Sequence, residues 1–475
     1  MLFNSIQFII FFLVVVITFY ITPFKWRWFL LLVASCYFYM AYIPVYILIL
    51  AFTITVDYFV GIFLESTFGT AKKLLLVISI ISNIGILCFF KYYNFFTDNI
   101  SFLLTHAGYK ATLPASHLIL PIGLSFHTFQ ALSYIIEVYR GKQKAERHYG
   151  IYALYVMFFP QLVAGPIERP QNIIYQFYEN KTFDVDNISS GLKLILRGFF
   201  KKLVIADRLA LYVNAVYSNP VHNSGKTLSL ATFFFAFQIY CDFSGYSDIA
   251  IGTAKVLGFK LVTNFNQPYL ARNVSEFWKR WHISLTSWFK DYLYIPLGGN
   301  RGNLLSVYFN LLLVFAISGL WHGASWNFII WGTLNGLYLI FLKLTKKFWP
   351  VFYKKTYLDR VPWLKISLQI AVTMFFIDIS WVFFRAVNIS DAFIIINKII
   401  SFKGVIFHPE YTIAYSFIGL VILLLYEVKN EYFKGRFSLF NNPNYLVKNF
   451  SYAFLLIAII ILGVFDGGQF IYFKF

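Results

Sequence analysis

Charge is what this sequence has least of. Only 13% of its 475 residues are Asp, Glu, Lys or Arg, about half the usual share of a soluble domain. That scarcity excludes a soluble enzyme and a disordered chain. Acids are scarcer than bases, 21 against 40, for a net charge of +19. Cysteine is nearly absent: Cys36, Cys88 and Cys241 lie scattered in apolar stretches without a C-x-x-C pair. A secreted disulfide scaffold is thereby excluded, and a structural zinc site has no support. No two of the eight histidines are spaced H-x₃-H, so a metal site has none either. A G-x-S-x-G elbow and a P-loop are missing. The nearest approach, Gly298-Gly-Asn-Arg-Gly302, lacks the lysine and the strand–loop–helix setting. The first 24 residues carry no basic stretch before their apolar run and no A-x-A site after it, so they read as a retained first crossing. No internal repeat, low-complexity tract or flexible linker is visible.

What fills the space is hydrophobic: 59% of residues, with a mean hydropathy of +0.66. At about 20 apolar residues per crossing, this content allows up to about 14 crossings before loops are subtracted. The fold class is an all-α polytopic membrane protein, a single integral-membrane domain over residues 1–475. Crossing-like runs lie near 5–23, 28–50, 51–65, 74–95, 150–164, 228–254, 305–320, 324–342, 364–384, 411–426 and 450–473. The run 113–136 holds Pro114, Pro121, Gly123 and His127 and reads as broken or re-entrant. Segment 190–217 mixes Arg197, Lys201, Lys202 and Arg208 with apolar residues and reads as partly interfacial. Aromatics reach 21%, in part because Tyr and Trp favour membrane interfaces.

The basic excess gives an orientation. Residues 343–365 carry seven Lys or Arg against one acid, Asp359, and 140–147 carry four bases. Both belong in the cytoplasm, and the charge pattern around the first run (none before it, Lys25 and Arg27 after) puts the N-terminus outside.

The polar residues that hydrocarbon tolerates least gather between 238 and 336. Asp242 and Asp248 interrupt an apolar run. Gly245, Asp248 and Gly252 share a helical stripe that suits close helix packing, with a cavity role as the competing reading. Residues 264–301 are amphipathic, aromatic and basic, as a surface-lying or half-inserted element would be. The same mixture occurs in nucleic-acid binders, but its apolar flanks argue for a membrane and no nucleic acid. His322 stands in an apolar stretch between Trp321 and Asn327, far from any charged run. Its unperturbed pKa of about 6.5 suits proton transfer, while a hydrogen bond to a neighbouring helix would equally account for it. His282, in Trp281-His282, echoes Trp321-His322 and is the second candidate. His127 is a cavity or packing residue; His106, His117, His148, His222 and His408 fall in expected loops.

Seven blocks carry a resemblance: Pro121-Ile-Gly-Leu-Ser-Phe, Phe159-Pro-Gln-Leu-Val-Ala-Gly-Pro-Ile, Asp242-Phe-Ser-Gly-Tyr-Ser-Asp, Phe277-Trp-Lys-Arg-Trp-His-Ile-Ser-Leu, Tyr294-Ile-Pro-Leu-Gly-Gly-Asn-Arg, Leu320-Trp-His-Gly-Ala-Ser-Trp and Trp381-Val-Phe-Phe-Arg. In this order, over about 120–385, the chain resembles the membrane-bound O-acyltransferase superfamily, in its bacterial branch of alginate O-acetyltransferase membrane subunits. The resemblance implies a ring of about 11–13 transmembrane helices, with short re-entrant and interfacial helices, around a central tunnel. It also implies that His322 is catalytic and that His282 occupies a second polar position. The implied setting is the bacterial cytoplasmic membrane. The donor would be a cytoplasmic acyl thioester, acetyl-CoA or a carrier protein, arriving as substrate, with no cofactor bound permanently. Acyl groups would leave toward an extracytoplasmic polysaccharide, alginate or a cell-wall glycan such as peptidoglycan, with an extracytoplasmic acetyltransferase as partner.

Such a transfer needs a base and a stabilised oxyanion. His322 suits the first; His282, Asn327 or backbone N–H groups suit the second. Asp242, Asp248, Trp281 and Trp321 are candidates for the substrate path. Lys279, Arg280, Lys290 and Arg301 would face an anionic donor, or simply follow the positive-inside rule. D-alanyl transfer to teichoic acid is the alternative within the class. An ion-coupled transporter using Asp242, Asp248 and His322, or an export-complex scaffold, are the alternatives outside it.

Overall fold

The computed structural model describes residues 1–109, 113–116, 118–407, 412–433, 440, 442–465 and 470–471. His117 and His408 lie outside the described residues. Helices account for the architecture, and the described residues include no strand. Seven helices among them are long and apolar enough to cross a membrane: Pro44–Ser66, Gly69–His106, Leu304–His322, Trp326–Leu344, Pro362–Arg385, Ile413–Tyr432 and Tyr445–Leu462. Ile6–Ile21 is apolar but shorter, at 16 residues. The protein is therefore a polytopic α-helical membrane protein. The chain divides into two compact units, one of residues 1–195 and 247–262, the other of residues 196–246 and 263–475.

In the first unit, the expected 28–50 run is two pieces. Phe24–Met40 is helical, and the chain then re-enters through a short turn at Pro44–Tyr46, because Pro44 offers no N–H to continue a helix. Helices Ile47–Ser66 and Gly69–Leu87 are joined by a buried acid. Asp57 accepts from Ser79 Oγ at 2.5 Å and Asn83 Nδ2 at 2.8 Å, two donors one helical turn apart. The broken segment is broken as expected. Gly123 sits at φ 76, where a Cβ would lie 2.8 Å from the Leu162 carbonyl oxygen, and the Leu124–Tyr139 helix starts directly after it. The expected crossing at 150–164 is corrected. It is a helix of only 9 residues, Tyr149–Met157, followed by turns. At about 1.5 Å per residue it cannot span a core of about 30 Å; its apolar residues are buried in protein instead.

The second unit is built on a tight helical hairpin, Leu304–His322 against Trp326–Leu344. Gly319 admits the Phe328 carbonyl and Gly332 admits that of Phe315, the close approach that small residues permit between membrane helices. Two expectations change here. Lys202, in the segment read as interfacial, is buried and ion-paired to Asp207 and Asp242, each at 2.7 Å. Burial disfavours its charge, but the two carboxylates outweigh this and raise its pKa above the ordinary lysine value. The stretch 264–301 is buried in part: the short helices Val274–Arg280 and Ile283–Phe289, with Trp281 between them, bring Phe277, Trp278, Trp281 and Trp288 inside the unit, while 295–297 and 300–301 are exposed. Large aromatic rings suit a protein core as well as a headgroup boundary, and here the packing contacts put them in the core.

Candidate active site

His322 is the last residue of the Leu304–His322 helix and is 4% exposed. Its ring lies edge-on to Trp331 (5.0 Å between centroids, 87°) and against Trp321 and Phe384 at 4.8 and 5.5 Å. His282 is 1% exposed and caps the start of the Ile283–Phe289 helix in the left-handed region, at φ 44 and ψ 54. Such a backbone is costly for a non-glycine residue and recurs at functional sites. Phe243 meets its ring edge-on at 4.5 Å and Trp321 lies 6.5 Å away. Burial pulls the His282 imidazole down to a pKa of about 3, so the ring is neutral in the resting protein.

The two imidazoles share one cavity of about 190 Å³, walled by Trp278, Trp281, Leu285, Phe289, Val314 and Phe315 among others. Ser275, Lys290, Tyr294, Leu311 and Leu339 line both this cavity and a larger one of about 1060 Å³. The larger cavity has apolar walls, such as Leu337 and Phe376, and five bases: Arg272, Lys290, Lys343, Lys346 and Lys365. Its one acid, Asp359, is paired with Lys365 at 2.5 Å. An elongated ligand with an anionic head and a thin apolar arm suits this pair of spaces.

The other expected residues separate. Trp281 walls the smaller cavity, and Trp321 touches both histidine rings without lining it. Lys279 is exposed at its edge. Arg280 is held by two carboxylates, Glu276 at 2.6 Å and Glu431 at 2.8 Å, so its charge is compensated within the protein. Arg301 is exposed and lines neither cavity. Asn327 donates to the Ala386 carbonyl at 2.9 Å and lines neither; this bond ties the start of its helix to the end of Pro362–Arg385. Asp242 is engaged by Lys202 and by the Ile471 N–H at 2.6 Å, away from the cavity lining. Asp248 is half-buried and belongs to the other compact unit. Sequence reasoning passed over Arg272, Tyr294, Lys343, Lys346 and Asn264. The basic stretch 343–365 was legible as a concentration of charge, but the place of Lys343, Lys346 and Lys365 on a cavity wall was not. Among the described residues, no three His, Cys, Asp or Glu side chains gather as a metal centre would need.

The sequence model of the membrane-bound O-acyltransferase family matches residues 147–384. The chain belongs to this family. Its relatives in the membrane-bound O-acyltransferase family include a probable alginate O-acetylase of Pseudomonas aeruginosa, 36% identical over 85% of this chain and 75% of that protein. A peptidoglycan O-acetyltransferase of Helicobacter pylori is 38% identical over 79% of this chain and 74% of its own length. A teichoic acid D-alanyltransferase of Bacillus subtilis is 28% identical over 57% of this chain and 70% of that one. The protein is thus an O-acyltransferase of the membrane-bound family, and both candidate histidines fall inside the matched region.

Proposed function

We propose that this enzyme takes an acetyl group from a cytoplasmic thioester and delivers it, across the bacterial cytoplasmic membrane, for O-acetylation of an extracytoplasmic polysaccharide. One observation carries the reading: two buried imidazoles on a small cavity whose walls continue into a larger one ringed by bases. The bases suit the phosphates of coenzyme A or of a phosphopantetheinyl carrier protein. The apolar arm of the donor would then bring its thioester to the histidines. There an imidazole takes the hydroxyl proton as the oxygen attacks the carbonyl and the C–S bond breaks; the proton passes to the departing thiolate. His322 is the proposed base, an effect of about 10²–10⁴-fold, and the aromatic walls keep water from the thioester. The acetylating relatives, alginate O-acetylase and peptidoglycan O-acetyltransferase, support acetyl over D-alanyl and a glycan acceptor. The attacking hydroxyl would belong to the glycan itself, or to an extracytoplasmic acetyltransferase partner that passes the acetyl ester on to a glycan hydroxyl and regains its own.

The decisive experiment measures ester-linked acetyl on purified envelope polymer from cells with the wild type, without the gene, and with His322→Ala. Acetyl should vanish in the last two while the variant accumulates in the membrane. Normal acetylation by His322→Ala would overturn the reading in favour of a scaffold. Loss of ester-linked D-alanine instead of acetyl would redirect it to teichoic acid.

A further inference from the structure

Asn264 is wholly buried and reads as an unremarkable loop residue, yet three groups converge on its side-chain oxygen. The Ser284 backbone N–H donates to Oδ1 at 3.2 Å and the Ser284 hydroxyl at 2.9 Å, while His282 Nδ1 lies 3.2 Å from the same atom. A backbone N–H can only donate. The atom facing it is therefore the amide oxygen and not the NH₂ group, which fixes an orientation that is otherwise ambiguous. An oxygen opposite His282 Nδ1 requires that nitrogen to carry the hydrogen. In a neutral imidazole the lone pair then resides on Nε2. The Ile283 N–H also donates to the Asn264 backbone carbonyl at 2.9 Å. One residue thus holds both the His282 ring and the backbone that follows its left-handed turn. Asn264 does not line the cavity that His282 lines, so the Nδ1 edge of the ring is turned toward the protein. Phe243 and Phe265 flank the ring and oppose its rotation.

We propose that Asn264 is a positioning residue that locks His282 in the Nδ1–H tautomer, so that His282 meets the substrates through Nε2 as a hydrogen-bond acceptor and not as a donor to the oxyanion. This rests on the reading of the cavity as the acyl-transfer site and alters one part of it: oxyanion stabilisation falls to groups other than neutral His282. The other titratable groups lining that cavity are His322, Lys279, Lys290 and Tyr294.

The test uses full-length protein in liposomes, with ¹⁵N-labelled histidine and the His282 signals assigned by difference from His282→Gln. Radiolabelled acetyl-coenzyme A is the donor for rate measurements. The wild type should show Nδ1 protonated and Nε2 bare. Asn264→Ala should populate the other tautomer and lower kcat roughly 100-fold, with KM little changed. Asn264→Asp keeps the acceptor and adds a charge that favours the imidazolium. The Nδ1 proton should persist, and the titration of the His282 ¹⁵N signals should move up by about one pH unit or more. A protonated Nε2 in the wild type, or an unmoved His282 titration in Asn264→Asp, overturns the proposal, the latter even if Asn264→Ala fails to fold. The tautomer measurement needs no substrate. A wild type inert toward the donor therefore defeats the reading of function and leaves the tautomer to decide this one.

Discussion

Each histidine of the pair is held by different means, and each should fail differently. His322 is wedged among Trp321, Trp331 and Phe384, so His322→Ala removes the proposed base and leaves a small cavity in a wall that other rings still support. Transfer should fall about 10²–10⁴-fold with near-normal accumulation. His282→Ala should be impaired but not dead, because His322 remains. Glu168 makes a separate prediction. Burial raises its pKa from 4.5 to about 7, against the opposing bonds from the Val262 N–H and the Asn172 amide. An acid whose folded pKa is raised contributes stability that is complete below its unfolded value and is lost as pH rises through about 7. Glu168→Gln should gain thermal stability relative to the wild type between pH 5 and about 8, read as the difference in Tm. Residues of this kind were unequally legible. His322, His282 and Trp281 stood out because imidazole and indole pairs are rare in apolar runs. Asn264 did not, because its meaning comes from Ser284, 20 positions on. Arg280, read either as a donor contact or as a positive-inside charge, is paired with Glu431, 151 positions away, a partner that no local pattern reveals.

At the level of elements, the hairpin of Leu304–His322 and Trp326–Leu344 sets where His322 ends up. Gly319, one turn before His322, lies where a Cβ would strike the Phe328 carbonyl, and the obstacle is backbone that cannot rotate away. Gly319→Ala should force the helices apart at a cost of about 1–3 kcal/mol, shift His322 off the cavity and lower activity more than stability. Detergent-solubilised Tm and transfer rate, measured together, check this. Gly85, with nothing near its missing Cβ, is the control: Gly85→Ala should be neutral or mildly stabilising. Long uniform runs such as 51–65, 305–320 and 364–384 were readable because hydrophobic length alone specifies them. Segments 150–164 and 264–301 were not. Their composition suits either a membrane or a protein core, and only tertiary contacts decide between those two solvents.

For the whole molecule, the polytopic helical class was legible in the sequence; the orientation read from its basic loops is an expectation that experiment must test. Against the expectation of about 11–13 helices in the ring, seven helices among the described residues meet the length and hydropathy of a span by themselves. Some apolar sequence, such as 150–164, is buried in protein instead. Orientation can be tested with single cysteines placed in 343–365 after removal of Cys36, Cys88 and Cys241. They should resist a membrane-impermeant thiol reagent applied to intact cells and react after permeabilisation. The excess of bases on the larger cavity should make the proposed donor capture sensitive to ionic strength. KM for acetyl-coenzyme A should rise with salt while kcat holds, and Lys290→Gln or Lys343→Gln should raise KM and flatten that dependence.

The disparity between the two cavities, about 190 Å³ against about 1060 Å³, should make the histidine end of the proposed site a sieve for chain length. A two-carbon group should enter it, whereas a fatty tail should collide with Leu285, Phe289 and Val314. Shaving that wall, as Phe289→Ala does, should let propionyl and butyryl thioesters compete with acetyl.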